Sequence, residues 1–416
     1  MNFIALGLSH TTAPLAVRER LVFSSDKIRS ALRSLPHGIE QAVIVSTCNR
    51  TEIYAATADA AAAEKSLEDF LCFQNGLAPE HFAPYCYCKH QADAMHHLFR
   101  VVCGIDSMVL GEDQIKSQVR RALAQSLAAG AARRPLSVLF RQALEVGRRV
   151  KRETLLSRHS VSVSHVAVLL ARKLLGDLDR KGFLIISAGE TGKLTGKIVR
   201  ESGAGDIVVV NRTRGRAQRL ANRIGGRALP FGRLPQALAD TDVVISATGA
   251  PSLVLESHTV AEAVAARRGR PLLLIDLAVP RDIDLGVGEM PGVHLYNIDD
   301  LQAVSQKGLE ARRKEVALAE AILEDEVRRA EDWWHGQRGV MTITSLRRRA
   351  EQVRRQEIEE ALRKLPSLTQ QQREGVEALS RAIVNKLLHF PTVRLKANDG
   401  EYISAVEELF KLKEEG

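Results

Sequence analysis

The chain has 416 residues, is 45% hydrophobic and carries 59 Lys and Arg residues against 50 Asp and Glu residues, which gives a formal net charge of +9. This length is more than one hydrophobic core normally covers, and it predicts two or three globular domains. The positive surplus favours a polyanionic partner, with nucleic acid as the first candidate. No segment approaches the roughly 18 apolar residues of a membrane span, which excludes a membrane-spanning protein.

The five cysteines are an odd number without framework spacing, so they predict a reducing compartment rather than a disulfide scaffold. The first seven residues contain no basic segment, and their apolar run is too short for a signal peptide; a cytoplasmic location is therefore expected. A metal cluster is a minor alternative for Cys72, His81, Cys86, Cys88 and His90. Because Cys-x-Cys is not a usual zinc spacing, no metal site is predicted.

The first 60 residues predict a unit that mixes strands and helices. Apolar runs at 3–8, 42–45 and 53–56 are typical of strands, whereas 15–21 and 24–35 have helical patterns that follow a polar, Pro-containing loop at 9–14. The strand at 42–45 is short and apolar throughout, which predicts that it is buried. Whatever follows this strand is therefore held at a fixed position.

Cys48 and Arg50 follow that strand. A thiolate at this position would be a strong nucleophile toward an acyl carbon. Arg50 has two possible uses, since its charge would lower the pKa of the thiol and its planar fork would hold a substrate carboxylate through two hydrogen bonds. The alternative is that Cys48 is an ordinary small buried residue. The polar neighbours, among them Thr47 and Glu52, argue against that alternative.

A second polar cluster begins in a helical region near residue 92. It contains His97, Ser107, Glu112 and Gln118 among many hydroxyl, carboxylate and amide groups. A solvated helix face does not need this concentration of polar groups. Packing is the favoured explanation for His97 when it is taken alone, although an imidazole that titrates near neutral pH also suits a general acid or base. His96 and Cys103 are expected at the surface and in the core, respectively.

Residues 46–52, Ser-Thr-Cys-Asn-Arg-Thr-Glu, and the cluster at 96–118 resemble two signatures of the glutamyl-tRNA reductases, the enzymes that start tetrapyrrole synthesis from glutamate. The resemblance implies that Cys48 is the nucleophile and that His97 lies beside it. It also implies a pocket for the glutamyl group, in which Arg50 meets the side-chain carboxylate and Glu112 suits the ammonium group. The implied pocket residues are Thr47, Arg50, Ser107, Glu112 and Gln118.

Residues 136–156 predict an amphipathic helix with a basic face. The cations on this face are Arg141, Arg148, Arg149, Lys151 and Arg152. They would suit contacts with tRNA phosphates, but a solubilising surface explains them equally well, and both interpretations remain open.

The middle of the chain predicts a Rossmann-type domain after a polar hinge at 157–164. A strand at 182–186 leads into a Gly-containing turn and a helix, an arrangement that aims backbone N–H groups at a pyrophosphate. Strand patterns recur at 207–210, 242–246, 272–277 and 294–296. Ser187 stands where the usual fingerprint has a glycine, so the motif alone is weak. The predicted phosphate loop consists of Ala188, Gly189, Glu190, Thr191 and Gly192.

The segment after the second strand of this domain indicates the cofactor. An NAD site would place a carboxylate there for the ribose hydroxyl, but the sequence has arginines that would pair with a 2′-phosphate. NADPH is therefore predicted rather than NADH. The residues assigned to this contact are Asn211, Arg212, Thr213 and Arg214, and a later strand-end loop adds Thr248 and Gly249. Asp276 and Arg281 are expected to form a structural ion pair.

Three helices with narrow apolar stripes are predicted at 301–338, 346–365 and 369–388. Such helices cannot bury their apolar residues alone, so a homodimer through the C-terminal helices is expected. The segment at 387–391 resembles the closing part of the dimerisation domain in the same family. The predicted domains are a catalytic, glutamyl-tRNA-recognising α+β domain (1–156), an NADPH-binding Rossmann domain (157–300), a long linking helix (301–338) and an all-α dimerisation domain (339–416).

The resemblance implies that the chain reduces glutamyl-tRNA(Glu) with NADPH to glutamate-1-semialdehyde through a Cys48 thioester. It also suggests direct hand-off of the reactive aldehyde to an aminomutase. Two alternatives remain: a shikimate-type NADP-dependent dehydrogenase of a free small molecule, which would not need Cys48, and a non-catalytic RNA-binding dimer. The thiol and the nicotinamide would lie on different domains, so domain closure or another motion is expected before reduction.

Overall fold

The computed structural model describes residues 1–156, 162–305, 309–396 and 400–412. Most of the predicted hinge, residues 157–161, lies outside the described residues, and Val163 and Ser164 begin a helix instead. The chain divides into two compact units, one formed by residues 2–325 and the other by Met1 together with residues 326–416.

The first unit begins with a four-stranded antiparallel sheet. Its strands are β1 (Asn2–Ser9), β2 (Ile39–Ser46), β3 (Arg50–Thr57) and β4 (Tyr87–His90), in the order β2-β3-β1-β4. Ser9 pairs with Arg50, and Ser46 pairs with Thr51. The end of β1, the end of β2 and the start of β3 therefore meet at one edge of the sheet. The three strands predicted from the sequence are confirmed, and β4 was not predicted.

Six helices accompany this sheet: α1 (Leu15–Arg18), α2 (Ser25–Arg33), α3 (Ala60–Asn75), α4 (Gln91–Val102), α5 (Gln114–Ala128) and α6 (Leu136–Glu153). Helix α3 was not predicted from the sequence, although both of its ends carry a recognisable signal. Asp59 accepts hydrogen bonds from the backbone N–H groups of Ala61 and Ala62, and Gly76 ends the helix in the left-handed conformation.

The same unit contains a six-stranded parallel sheet with the order β10-β9-β8-β5-β6-β7. The strands are β5 (Gly182–Ile186), β6 (Asp206–Val210), β7 (Arg227–Leu229), β8 (Val243–Ser246), β9 (Leu272–Asp276) and β10 (Val293–Asn297). The helices are α7 (Val163–Leu175), α8 (Glu190–Glu201), α9 (Arg214–Ile224), α10 (Leu234–Asp240), α11 (Ser257–Ala266) and α12 (Ile298–Ser305). The predicted Rossmann-type fold is confirmed. Its strand order reverses between β5 and β8, and the loops beyond their carboxyl ends are where such sheets bind ligands.

Two ion pairs connect the parallel-sheet region to the antiparallel-sheet region. Arg281 forms a bidentate pair with Glu19, with Nη2 at 2.7 Å from a carboxylate oxygen, and Arg18 pairs with Asp299. The predicted pair between Asp276 and Arg281 is therefore wrong. The Asp276 carboxylate instead accepts hydrogen bonds from three backbone N–H groups in the loop after β9. Arg281 is free to reach the other region because these backbone donors already satisfy Asp276.

The remaining helices are α13 (Leu309–Lys364), α14 (Gln370–Lys396) and α15 (Gly400–Leu409). The two helices predicted at 301–338 and 346–365 are wrong in their boundaries, because α13 is continuous across the predicted break. Within this helix, the Thr344 hydroxyl donates a hydrogen bond to the carbonyl of Val340, one turn earlier. Ile343, Leu346, Leu388 and Leu395 form a small core with α15. Among the described residues, no helix is both long enough and apolar enough to cross a bilayer.

Gly111 precedes Glu112 in the loop between α4 and α5, and its conformation is specific to glycine. Its φ is +78°, and an added Cβ would lie 2.3 Å from the carbonyl oxygen of Leu156. We expect Gly111→Ala to destabilise the first unit by about 3 kcal/mol, since backbone strain and a backbone clash add together. Gly130→Ala is the matched control, because φ is +74° and no atom lies within 4 Å of the added Cβ. We expect about 1 kcal/mol there, and equal losses of Tm in calorimetry would contradict the clash.

Candidate active site

Cys48 lies in the turn that joins β2 to β3. The backbone N–H of Thr47 bonds the carbonyl of Arg50 at 2.8 Å, and the Thr47 hydroxyl accepts from the N–H groups of Asn49 and Arg50 at 3.1 and 3.2 Å. Arg18, which the sequence analysis did not single out, donates to the carbonyl of Cys48 at 2.6 Å. The turn is fixed on both sides, and the thiol therefore has a defined position.

The predicted substrate residues converge on one narrow pocket. It has a free volume of about 40 Å³. Thr191, Leu277 and Ile298 line it from the parallel-sheet region, so this pocket brings the phosphate loop close to the thiol. The residues that line it from the antiparallel-sheet region include Thr47, Cys48, Arg50, Ser107, Glu112, Gln114 and Gln118. Six of the seven predicted catalytic and substrate residues thus share one cavity.

His97 is the predicted site residue that does not line this pocket, as far as the described residues show. It is buried, with Nε2 at 2.8 Å from Glu52 Oε1 and Nδ1 at 3.4 Å from Asp106 Oδ2. Burial opposes the charged imidazole, but the two carboxylates outweigh it and raise the pKa of His97. Both ring nitrogens are therefore occupied by structural partners.

Arg50 and Glu52 form the centre of this buried network. Arg50 Nη1 lies 2.9 Å from Glu52 Oε1, and its Nη2 donates to the backbone carbonyl of Asp106. Both side chains are almost fully buried, with 1% and 0% of their surfaces exposed. Tyr54 and Tyr87 donate their hydroxyls to the Glu52 carboxylate. Burial opposes ionisation of Glu52, but Arg50, His97 and the hydrogen bond from Tyr54 hold its pKa well below the usual range.

Cys48 is partly exposed, and its surroundings favour the protonated thiol at neutral pH. Burial is the main cause and Glu112 the second, and together they raise the pKa of Cys48 to about 12; Arg18 and Arg50 lower it by less. Arg50 lowers the pKa of the thiol, as expected, but burial and Glu112 outweigh it in the resting protein. Burial also raises the pKa of Glu112 to about 7, so this carboxyl gains or loses its charge near neutral pH. Ionisation of Glu112 therefore adds to the effect of burial on the pKa of the thiol.

A second cavity of about 250 Å³ lies beyond the carboxyl ends of β5, β6 and β8, with Phe231 and Val254 on its walls. The predicted residues Asn211, Arg212, Thr213, Thr248 and Gly249 line it together with Arg216. Arg214 is the first residue of α9 and is not among the residues that line this cavity, whereas Arg216, two positions later, is. A helix turns by about 200° over two residues, which explains the difference.

The phosphate loop keeps its shape without the first fingerprint glycine. The Ser187 hydroxyl accepts a hydrogen bond from the backbone N–H of Gly189 at 3.1 Å. Gly192 remains necessary, because an added Cβ would lie 2.8 Å from the carbonyl oxygen of Ser187. Ala188, Gly189 and Glu190 line a separate basic cavity beside α8. The five predicted loop residues therefore have different surroundings, and of these five only Thr191 lines the thiol pocket.

Asp282 is a further residue that the sequence analysis did not assign to the site. Its carboxylate accepts hydrogen bonds from the backbone N–H of Thr248 at 2.8 Å and from the hydroxyls of Ser246 and Thr248. It therefore holds the loop after β8 against the second cavity. Asp282 lies 34 residues after Thr248, so no local motif in the sequence could have indicated this contact.

The predicted metal alternative is only partly reproduced. Cys88 and His90 lie near Glu64, and their donor atoms are all within 4.8 Å of one another. His90 Nε2 is 3.3 Å from Glu64 Oε2, a distance that an ordinary ion pair explains. His96 contacts Glu320 at 3.0 Å and is half-buried, and Cys103 is buried as expected.

The parallel sheet with a thiol pocket against its phosphate loop defines an oxidoreductase that uses a nicotinamide cofactor. Family models of the glutamyl-tRNA(Glu) reductase N-terminal domain, of shikimate/quinate 5-dehydrogenase and of the glutamyl-tRNA(Glu) reductase dimerisation domain match residues 6–154, 169–304 and 318–412. The chain belongs to the glutamyl-tRNA reductase family.

Individual relatives agree over the whole length. The chain is 42% identical to glutamyl-tRNA reductase of Syntrophotalea carbinolica over 99% of its length and 95% of the relative, and 43% identical to that of Roseiflexus sp. (strain RS-1) over 99% and 97%. The solved glutamyl-tRNA reductase from Methanopyrus kandleri is 31% identical, with a TM-score of 0.55 over 100% of this chain and 99% of that one. The shikimate-type alternative accounts only for the middle domain.

We expect removal of one charge from the Arg50–Glu52 pair to reduce the stability of the protein strongly. Glu52→Gln leaves the Arg50 guanidinium buried without its counter-charge, and we expect a loss of about 3 kcal/mol, at the lower end of what breaking a buried pair costs. Native-state hydrogen exchange of the β2 and β3 amides measures this loss. The control is Asp26→Asn, which removes an exposed pair with Arg29 and should change stability by less than about 0.5 kcal/mol. Equal protection in both variants would contradict the proposed importance of the pair.

We expect removal of the Glu112 charge to increase the reactivity of the Cys48 thiol. Because ionised Glu112 raises the pKa of Cys48, Glu112→Gln should lower that pKa and increase alkylation of Cys48 by iodoacetamide about 10-fold at pH 8. The parent and the variant should converge below pH 7, where the parent's Glu112 is itself protonated. Cys48→Ser supplies the background from the other cysteines, and Glu145→Gln on the exposed face of α6 is the matched control. A variant that alkylates more slowly than the parent at pH 8 would reverse the assigned sign.

Proposed function

We propose that the chain reduces the glutamyl group of glutamyl-tRNA(Glu) to glutamate-1-semialdehyde and releases the tRNA. The observation that carries this proposal is the pocket that groups Cys48 with Thr47, Arg50, Ser107 and Glu112 and is closed by Thr191 of the phosphate loop. A nucleophile, polar groups for a charged acyl substrate and a cofactor loop are the parts that acyl transfer followed by reduction requires.

In the first step, the sulfur of Cys48 attacks the ester carbonyl carbon, and the bond to the tRNA ribose oxygen breaks. The thiol proton leaves with that oxygen, and an enzyme thioester forms. The raised pKa of Cys48 means that substrate must activate the thiol. We infer that the substrate ammonium group pairs with Glu112 and cancels the negative charge that holds the proton on sulfur.

Arg50 is proposed to meet the side-chain carboxylate of the glutamyl group. Its pairing with Glu52 leaves the guanidinium held in one orientation, and the residue still lines the pocket. Thr47, Ser107 and Gln118 add hydroxyl and amide groups around the same cavity. His97 remains a predicted acid or base, but its contacts with Glu52 and Asp106 support a positioning role, in which it keeps the Arg50–Glu52 pair in place.

NADPH is proposed as the cofactor. Arg212 and Arg216 line the cavity beyond β6, and none of the described residues that line this cavity is a carboxylate. The residues present therefore fit a 2′-phosphate better than a free ribose hydroxyl. The remaining proposed contacts come from Ala188, Gly189, Glu190, Thr191 and Gly192 at the phosphate loop, and from Asn211, Thr213, Thr248 and Gly249. When bound, the nicotinamide supplies hydride to the thioester carbon. Collapse of the resulting thiohemiacetal restores the Cys48 thiol and frees the aldehyde.

The pocket must widen to admit substrate. Its free volume of about 40 Å³ holds little more than one water molecule, whereas a glutamyl group has nine non-hydrogen atoms. The parallel-sheet region supplies Thr191, Leu277 and Ile298 to its wall. Movement of that region away from the turn at Cys48 would open the pocket, and its return would exclude water from the thioester.

A homodimer is proposed through the C-terminal helices. Leu379, Ile383, Leu387 and Phe390 recur at helical spacing on α14, and between 50% and 76% of each side chain is exposed. Such a stripe is typical of a helix that packs on a partner. Hand-off of the semialdehyde to an aminomutase and a cytoplasmic location complete the proposal. Both rest on the family and on the reactivity of the product.

A single-turnover assay with glutamate-labelled glutamyl-tRNA(Glu) tests the proposed route. Label should appear on the parent protein without NADPH and should move to semialdehyde when NADPH is added. Cys48→Ser should carry no label and form no product, because the hydroxyl is a much weaker nucleophile. Cys88→Ser, which lies outside the pocket, is the matched control and should behave as the parent. Equal labelling of Cys48→Ser, or product without any labelled intermediate, would refute the thioester.

A further inference from the structure

A strongly basic groove runs between α8 and α9. It consists of a cavity of about 460 Å³, lined by Gly189, Glu190, Lys193, Arg216, Arg219 and Arg223, and an adjoining one of about 570 Å³. Lys193 and Arg223 line both, so the two cavities are continuous. The second adds Lys197, Arg200 and Glu201, which gives the groove six cations and two carboxylates.

The cations of α8 have local partners, whereas those of α9 do not. Lys193 pairs with Glu190 at 2.8 Å, Lys197 with Glu201 at 3.7 Å, and Arg200 donates to the carbonyl of Gly225. In the part of the chain that the structure describes, the guanidinium groups of Arg216, Arg219 and Arg223 form no ion pair. These three residues share one face of α9 because they are spaced by three and four positions.

The basic helix α6 provides the contrast. Arg148 bonds Glu145 through Nε at 3.1 Å, Arg149 bonds Glu153 at 3.0 Å, and Lys151 pairs with Asp113. Three cations of that helix therefore already have a carboxylate partner. Of the two surfaces, the groove beside α9 has more unpaired positive charge available for an anionic ligand.

The groove begins beside the mouth of the thiol pocket. Thr191 lines the pocket, whereas Glu190 and Lys193, in the same helical turn, line the groove. Helix α5 makes the same connection, since Gln118 lines the pocket and Arg121 lies one turn further along. The pKa of Glu190 is lowered mainly by its hydrogen bond with Lys193, with smaller contributions from the charges of Arg121 and Arg223.

We propose that this groove binds backbone phosphates near the 3′ end of the tRNA substrate, an inference that rests on the proposed function. When the terminal ribose presents its ester to Cys48, the preceding phosphates must leave through the mouth of the pocket, where the groove begins. Arg121, Arg219 and Arg223 then contact the strand along its path. Backbone contacts of this kind need charge and position rather than base recognition.

The cofactor does not account for the whole groove. The cofactor reaches one end of the groove, because Gly189 and Glu190 belong to the proposed phosphate loop and Arg216 also lines the cavity assigned to the 2′-phosphate. Arg223 lies seven residues further along α9, about 10 Å away along the helix axis. A 2′-phosphate beside Arg212 and Arg216 is too far along the helix to neutralise Arg223, and the pyrophosphate is proposed to be held by the backbone N–H groups of the phosphate loop. Arg223 is therefore the arginine that distinguishes the tRNA from the cofactor.

The test uses full-length protein on the Cys48→Ser background, so that glutamyl-tRNA(Glu) is bound but not consumed. Binding of fluorescently labelled glutamyl-tRNA(Glu) is measured over a range of salt concentrations. The parent is compared with the double variant that carries both Arg219→Gln and Arg223→Gln. Two lost phosphate contacts should weaken binding at low salt about 10-fold or more and reduce the slope of log affinity against log salt by about 1.5. Arg219→Lys with Arg223→Lys should keep most of the parent slope, because the charges remain.

The matched control is Arg180→Gln with Lys181→Gln. This pair of substitutions also removes two charges. The two residues lie before the amino end of β5, whereas the phosphate loop follows its carboxyl end. It should keep the parent slope, and the NADPH dissociation constant should be unchanged in both double variants. The proposal is overturned if the Arg219 and Arg223 variant keeps the parent's salt slope, or if the control variant loses as much of that slope. A weakened NADPH affinity with an unchanged tRNA slope also overturns it and assigns the groove to the cofactor. If the Cys48→Ser protein itself does not bind glutamyl-tRNA(Glu), the proposed function fails instead.

Discussion

The ion pair between Arg50 and Glu52 is the contact on which the rest of the site depends. Neither side chain reaches solvent, so each needs the charge of the other. Glu52 also accepts from His97, Tyr54 and Tyr87, and Arg50 reaches across to the loop that carries Ser107 and Glu112. These contacts link the turn that bears Cys48 to the loop that bears Ser107 and Glu112.

The turn that this network fixes carries a thiol that is unreactive in the resting protein. Burial and a neighbouring carboxylate keep Cys48 protonated, although two arginines lie nearby. A protein that reacts with esters gains selectivity if its nucleophile is activated only by the correct substrate. In the proposed mechanism, an ammonium group that cancels the charge of Glu112 is that signal. The same groups would therefore serve both binding and activation.

The thiol pocket lies where the antiparallel-sheet region meets the parallel-sheet region. Arg18, from the antiparallel-sheet region, contacts both the turn at Cys48 and Asp299 of the parallel-sheet region. Arg281, from the parallel-sheet region, pairs with Glu19 of the antiparallel-sheet region. These contacts bring Thr191 of the phosphate loop to the thiol pocket. The small free volume follows from this closure, and so does the position of the basic groove beside the pocket mouth.

The sequence by itself determined the elements and their chemical content. Apolar periodicity located the strands that carry Cys48 and the phosphate loop, and the motifs at 46–52 and 96–118 indicated the residues of one pocket, because local pattern is set by local burial. Tertiary structure decided which of these residues meet. Arg18, Asp282 and Arg216 were missed, and Arg281 was paired with the wrong carboxylate. The effect of Arg50 on the pKa of Cys48 has the expected direction, but burial and Glu112, which outweigh it, were not anticipated. Each of these depends on burial or on a partner far along the chain, and the energy of a buried charge is set by its three-dimensional surroundings rather than by its neighbours in sequence.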